Sequence, residues 1–443
     1  MISPPQDTSR VMADADAAPA PHPKKRWRRV LIAFGVVLLL LSLATTWLLQ
    51  PEQLVPLILD RTGKTLGLEI TADGISEARL RGQPQLVVRN IIAREPGGET
   101  AILRAERVLL ALPWSSLRSG GKDPVIERVE LDAPVFDLHA LQAWLAKRPP
   151  DEDTNIPTLT DGLRVIGGRI DNGDWRIENI DLRMPSLHPQ RPVNARLRGR
   201  YVDAATGNGT MKIPFDLAIA LTRPANDAGV AAVGTIAIES GDWRLPATVT
   251  LSGPLHLGDD AITMTPAKLG LSARYESGGT GSDKTRLPFS LGLHGPLRYG
   301  TGTWVLAPVD VALRGDEPVP NFDARGAFAL GKRLVIELDG ALPQWPASWP
   351  ALPVPVSSST SPLPFSLRYA GKADLADVAR LRLQRDATDF DGRFRLYDVL
   401  GWIDQVGGSP LPPMDGHLRS PELEISGAVL EGVEIVIDDE DVR

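Results

Sequence analysis

Apolar and polar side chains alternate along most of this chain, and that period of two constrains the fold more than any other feature. In LPATVTLSG, Leu245, Ala247, Val249 and Leu251 fall on one side and Thr248 and Thr250 on the other. VNARLRGRY sets Val193, Ala195 and Leu197 against Asn194, Arg196 and Arg198. IERVELDAPV sets Val129, Leu131, Ala133 and Val135 against Glu130 and Asp132, and GVEIVIDD sets Val433, Ile435 and Ile437 against Glu434. Successive side chains of a strand point to opposite faces, so the pattern predicts a sheet with one apolar and one polar face. Segments such as GGRIDNGDW and DFDGR suit the turns of antiparallel hairpins. No strand–helix–strand rhythm is visible, which argues against a parallel sheet.

The strands also repeat their wording. IPFDLAIAL from Ile213, LPFSLGLHGPL from Leu287 and LPFSLRYAG from Leu363 stand 74 and 76 residues apart. LSGPLHLGDDAITMTPAKLGL from Leu251 echoes LHGPLRYGTGTWVLAPVDVAL from Leu293, and GDWR occurs at Gly173 and Gly241. Together these predict a degenerate structural repeat, with proline at a strand's first residue or at an edge.

One segment departs from the pattern near the start. Val30–Leu49 carries no charged side chain, and Lys24, Lys25, Arg26, Arg28 and Arg29 lie just before it. At about 1.5 Å per residue such a helix matches a hydrocarbon core of about 30 Å. The basic cluster predicts a cytoplasmic N-terminus and a C-terminal bulk across the membrane, with Trp27 and Trp47 at the interfaces. The run is longer than the 7–15 apolar residues, roughly, of a signal peptide, and SLATTW is a poor cleavage site. Residues 1–29 then form a disordered tail ending in the basic cluster, and 30–49 the transmembrane helix. PEQLVPLILDRTGKTLG predicts a short amphipathic helix, and LHALQAWLAK another near Leu138–Lys147. Region 50–150 is an N-terminal β region with that capping helix, 151–340 repetitive antiparallel sheet, and 363–443 a C-terminal β region. Between the last two, residues 341–362 are rich in proline and serine, as a linker or long surface loop is. The sharper reading makes them a flap whose Trp345 and Trp349 touch lipid.

Chemistry is harder to find. With no cysteine, disulfides and thiol nucleophiles are excluded, and 48 Lys+Arg against 55 Asp+Glu disfavours a nucleic-acid partner. The six histidines are scattered without metal-ligand spacing, and no nucleophile elbow is present. GAFALGKR approaches a phosphate-binding loop, but Arg333 stands where a hydroxyl is needed and the run reads as a hairpin. No catalytic residue, metal site or cofactor is expected. Aromatic residues make up 5 % of the chain, which suits acyl chains better than sugar rings.

The N-terminal third resembles the AsmA family of Gram-negative envelope proteins. Thr62, Gly63, Lys64, Pro84, Leu86, Val88 and Asn90 carry the first part of the likeness, in ILDRTGKTLGLEITADGISEARLRGQPQLVVRNIIARE. Ala105, Val108, Leu110, Leu117, Gly120, Ile126, Val129, Leu131 and Pro134 carry the second, and the order of these motifs is the persuasive part. HALQAWLAKRPPDEDTN stands where the family often carries an asparagine–tryptophan signature. The resemblance implies an inner-membrane protein whose bulk lies in the periplasm. It also implies a mainly β fold: a transmembrane helix, then a long curved antiparallel sheet like a groove, with short amphipathic helices. Relatives are linked to phospholipid traffic and outer-membrane integrity.

Two functions follow as expectations, neither enzymatic. In one, the apolar face binds phospholipid acyl chains, with Val129, Leu131, Val193, Leu197, Leu245, Val249, Leu251, Val433, Ile435 and Ile437 lining the groove. In the other, that face is a packed core and the surface serves other envelope proteins as an assembly or secretion scaffold. Charges crowding Asp374–Asp389 predict that a groove ends or closes there.

Overall fold

A computed structural model of the protein describes residues 67–72, 75–79, 83–115, 125–147, 158–203, 211–225, 227–241, 243–258, 261–277, 285–349, 352, 354, 356–373, 375–396, 398–399, 413–425 and 428–439. The basic cluster, the apolar run 30–49 and nearly all of the first amphipathic segment lie outside these residues. No described helix is long and apolar enough to cross a membrane.

The fold is mainly β. The N-terminal strands are β1 (Glu69–Thr71), β2 (Ile75–Arg79), β3 (Gln85–Arg94), β4 (Ala101–Ala111), β5 (Val125–Ile126), β6 (Arg128–Asp132) and β7 (Val135–Asp137). Helix α1 (Leu138–Ala146) follows, then β8 (Thr158–Leu159), β9 (Leu163–Asp171) and β10 (Trp175–Met184). A long meander continues as β11 (Val193–Asp203), β12 (Met211–Leu221), β13 (Asp227–Ser240), β14 (Trp243–Leu257), β15 (Ile262–Ser277), β16 (Thr285–Gly300) and β17 (Thr303–Gly315). It closes with β18 (Phe322–Leu330), β19 (Leu334–Leu342), β20 (Leu363–Gly371), β21 (Val378–Arg385), β22 (Thr388–Arg395), β23 (Asp415–Ile425) and β24 (Ala428–Ile437). Twenty-two of these strands form one sheet, while β5 and β8 pair separately.

From β9 to β24 each strand pairs antiparallel with the next, as the hairpin turns predict. GAFALGKR belongs to the β18–β19 hairpin. The N-terminal part departs from expectation: β6 and β7 pair parallel with β9, and β5 parallel with β8, so the sheet is mixed. Helix α1 lies on the connection that makes this possible, since parallel neighbours need a crossover. Asp137 starts α1, its Oδ1 accepting the Ala140 N–H at 2.8 Å.

A second departure runs across β3–β10. The alternation slips by one residue at a common transverse row: Asn90, Glu106, Ala133, Gly167 and Asn179. Four of these have positive φ (Asn90 50°, Ala133 46°, Gly167 63°, Asn179 54°). Such residues turn the backbone and re-aim the side chains beyond them. The slip at Ala133 overturns one sequence expectation: Val135 does not share a side with Val129 and Leu131. It pairs with Arg104 and Arg169, while Phe136 pairs with Leu103 and Ile170 on the apolar side.

The repeated words mark equivalent positions. Pro214, Pro246, Pro288 and Pro364 each stand second in a lead-in of the same type, on β12, β14, β16 and β20, all entering from one margin of the sheet; contrary to expectation they are neither first residues nor on an edge, but lie inside strands paired on both sides. The hairpins β14–β15 and β16–β17 share a bulged row, at Gly253–Pro254 opposite Thr265–Pro266 and at Gly295–Pro296 opposite Ala307–Pro308. In both copies of GDWR the glycine has positive φ in a turn (69° and 53°), and the tryptophan opens a strand. There Trp175 packs on Tyr201 and Trp243 on Tyr275, at ring-centroid distances of 5.7 and 6.1 Å.

Candidate functional site

Partners in register project to the same side, so one face can be followed strand by strand. From β11 it carries Val193, Ala195 and Leu197, then Leu217 and Ile219, Ile236 and Ile238, Leu245, Val249 and Leu251, and Leu269 and Leu271. It continues through Leu291, Leu293 and Val311 to Phe328, Ile336 and Leu338, then Phe365, Leu367, Leu381, Leu383 and Phe390. Leu418, Ile435 and Ile437 complete it. All ten residues expected to line a groove are on this face.

Among the described residues this face is covered at its N-terminal end and over β18–β21, and left open between them. At the N-terminal end Val129 (0 % exposed), Leu131 and Val193 sit in a packed cluster with Leu112, Ile126, Leu159 and Leu187. Trp144 of α1 seals a neighbouring cluster with Ile70, Ile91 and Leu103. Val129, Leu131 and Val193 are therefore core, not lining, because the β5–β8 pair, with Leu112 and Leu187, packs over them. Leu197, Leu245, Val249 and Leu251 remain half-buried on the stretch β11–β16. Among the described residues, β12–β16 pack chiefly against their neighbours in the sheet. Val433, Ile435 and Ile437 are half-buried on β24. Aromatic rings stand at both margins of this face. Opposite Trp175–Tyr201 and Trp243–Tyr275, Tyr299 packs on Trp304 at 4.6 Å, and Trp304 and Leu330 are each 43 % exposed. Burial pushes the Tyr201 phenol up to about 12, with Asp203 adding to it, so the ring stays neutral.

At the C-terminal end residues 343–349, 352, 354 and 356–362 form a strap, not a free linker. Trp345 and Leu352 pack against the cluster of Leu342, Leu363 and Phe365, and Val356 is buried. The Ala347 and Ser348 N–H groups donate to Glu317 at 3.1 Å each, and the Trp349 indole donates to the Pro318 carbonyl at 2.9 Å. Arg385 donates to the carbonyls of Val356, Ser359 and Ser361, and the Glu424 N–H to that of Val354. The charges crowding β21 and β22 do not break the apolar face: Arg380, Arg382 and Asp391 project from the other side, while Ala379, Leu381 and Leu383 hold this one.

The opposite face is a lattice of cross-strand ion pairs. Asp216 accepts from Arg196 at 2.9 Å and Arg198 at 2.8 Å, Asp310 from Arg325 at 2.7 Å, and Asp339 from Arg368 at 2.8 Å. Hydrogen bonds from Arg380, and then Arg382, hold the Asp391 carboxyl down at about 2. Arg196 likewise lowers Asp216, and Arg368 lowers Asp339. An open depression of about 980 Å³ lies on this polar face around Pro246, Thr248, Ser272 and Ser290. Its arginines are already paired: Arg244 with Glu239, Arg274 with Glu276 and Arg314 with Asp323. The depression is relief between tall charged side chains over a floor of small ones.

No protein-family model, curated protein or solved structure matches this chain.

Proposed function

We propose that this chain is an AsmA-like, non-enzymatic protein anchored in the bacterial inner membrane by residues 30–49. In this reading its sheet lies in the periplasm and carries phospholipid acyl chains on the apolar face, assisting lipid transport and outer-membrane homeostasis. One observation carries the proposal: beyond Val193, Ala195 and Leu221, which belong with the N-terminal core, the aliphatic face continues across β11–β15 and no described element covers it. Contiguous exposed apolar surface of that extent marks a binding site or a liability. Each buried CH₂ contributes about 0.8 kcal/mol, so one acyl chain gains useful affinity without a specific polar contact. Aromatic rings at both margins suit a boundary where chains are buried and headgroups remain in water.

The test is photocrosslinking in cells with p-benzoylphenylalanine in the full chain. Placed at Leu251, on the apolar face, it should yield a lipid adduct, and at the adjacent Thr250, on the polar face, it should not. Lipid at neither position, with a protein adduct at Leu251 instead, would favour the scaffold reading.

A further inference from the structure

The strap between β19 and β20 sits where the proposed ligand would run next. Its Trp345 and Leu352 contact the same apolar face, on β18–β21, that no described element covers on β13–β15. This face beneath it has the same composition: Leu338, Leu342, Leu363, Phe365, Leu381 and Leu383. The strap therefore gives these side chains the cover that an acyl chain would give. Beside this apolar contact and the buried Val356, its described attachments are polar: Glu317 and Pro318 in the β17–β18 turn, Arg385 at the end of β21, and the bridge from Val354 to Glu424. The plug is less enclosed than the core at the N-terminal end: Trp345 and Leu352 are partly buried, whereas Val129 and Ile126 are fully buried. The Arg385 Nε is buried without a hydrogen-bond partner, so even this anchor is incompletely satisfied.

Resting on the lipid reading above, we infer that the strap is a displaceable end-stop. Docked, it occupies the C-terminal part of the apolar face and limits how far a bound acyl chain extends. Undocked, it opens that part to lipid. Glu317, Trp349 and Arg385 are its latches, and Trp345 with Leu352 is the plug.

The experiment places p-benzoylphenylalanine at Leu383 in the full chain, in cells, with the Leu251 position as reference. With the native strap, Leu383 should crosslink within the chain and give little lipid adduct, while Leu251 gives lipid. Combining Glu317→Ala with Trp349→Ala should raise the lipid adduct at Leu383 at least threefold and leave Leu251 unchanged. The native chain has no cysteine, so Val354→Cys with Glu424→Cys makes a clean lock at two residues already paired as antiparallel partners. Added to the unlatched variant, the oxidised lock should suppress the Leu383 adduct and reduction should restore it. Lipid at Leu251 together with a Leu383 adduct indifferent to both latch and lock would overturn the end-stop and spare the lipid reading. No lipid at either position in any variant would overturn both. Reversal by reductant within one folded protein separates undocking from misfolding.

Discussion

At the scale of single residues, the bulged row of the repeat shows why its glycines are glycines. A Cβ added to Gly295 would stand 2.2 Å from the Pro308 carbonyl oxygen, and one added to Gly253 would stand 2.4 Å from that of Pro266. Both obstacles are backbone, so neither can rotate away. Gly295→Ala should therefore cost about 1–3 kcal/mol, as overpacking does, and lower the urea midpoint. Gly292→Ala, three residues earlier with its nearest neighbour at 4.0 Å, is the control and should change the midpoint little. The polar face makes a second prediction. The folded-state carboxyls of Asp216, Asp339 and Asp391 are all lowered by arginine neighbours, Asp391 to about 2. A depressed carboxylate contributes stability above its unfolded value, about 4, and loses it as pH falls through the folded value. The urea midpoint should hold from pH 7 to 5 and fall from about 4 toward 2. Asp391→Asn should flatten part of that fall. Its arginines are half-exposed, so the pair contributes only about 0.2–1 kcal/mol.

At the scale of elements, what the sequence discloses depends on whether a strand is regular. The faces of β11, β14 and β24 were readable from alternation over Val193–Leu197, Leu245–Leu251 and Val433–Ile437, because no bulge or positive φ falls within those stretches. The β6–β7 segment was not: one backbone turn at Ala133 exchanges Val135 for Phe136, and nothing in IERVELDAPV announces a positive φ at alanine. Likewise the aspartates and arginines of β21–β22 read as an interruption, although their period of two puts all of them except Arg385, which serves the strap, on one side. Whether an apolar face is core or surface was beyond reach, since Val129 and Val249 have similar neighbours in sequence. What separates them is a cover supplied by residues 112, 126, 159 and 187, distant in the chain. The same holds for the strap, whose proline and serine content conceals its two apolar anchors. Helix α1 was legible because its Asp137 cap precedes an apolar run. Trp144→Ala, which opens the cluster under that helix, should cost about 3–5 kcal/mol. Asp137→Ala should cost about 1 kcal/mol. Both losses should appear as faster amide exchange in β3, β4 and α1, and much less in β14–β16.

At the scale of the whole molecule, the sheet from β10 onward is a row in which each strand touches its neighbours and little else. Stability in such a row is a sum of local terms, as in repeat proteins, so the chain need not unfold as one unit. The N-terminal end has two packed clusters beneath α1 and the β5–β8 pair, and the C-terminal end has the cluster beneath the strap. The middle has longer strands, up to 16 residues, yet no described cover over its apolar face. Backbone hydrogen bonds hold it together, and these exchange readily where the flanking surface is wet. Hydrogen exchange on lipid-free protein should therefore find β12–β16 the least protected of the long strands, with the two ends protected beyond them. Bound acyl chains would stabilise the folded middle in proportion to ligand concentration over its dissociation constant. Adding lipid vesicles to that protein should then raise protection in β12–β16 selectively and leave β3, β4 and β9 unchanged. Val249→Asp should abolish the gain while leaving the lipid-free exchange pattern nearly intact, because residue 249 is half-buried on an uncovered face. Uniform protection along the sheet before lipid is added would mean that the apolar face is already packed. The scaffold reading, with partners on the charged side, would then account for this molecule better than lipid carriage.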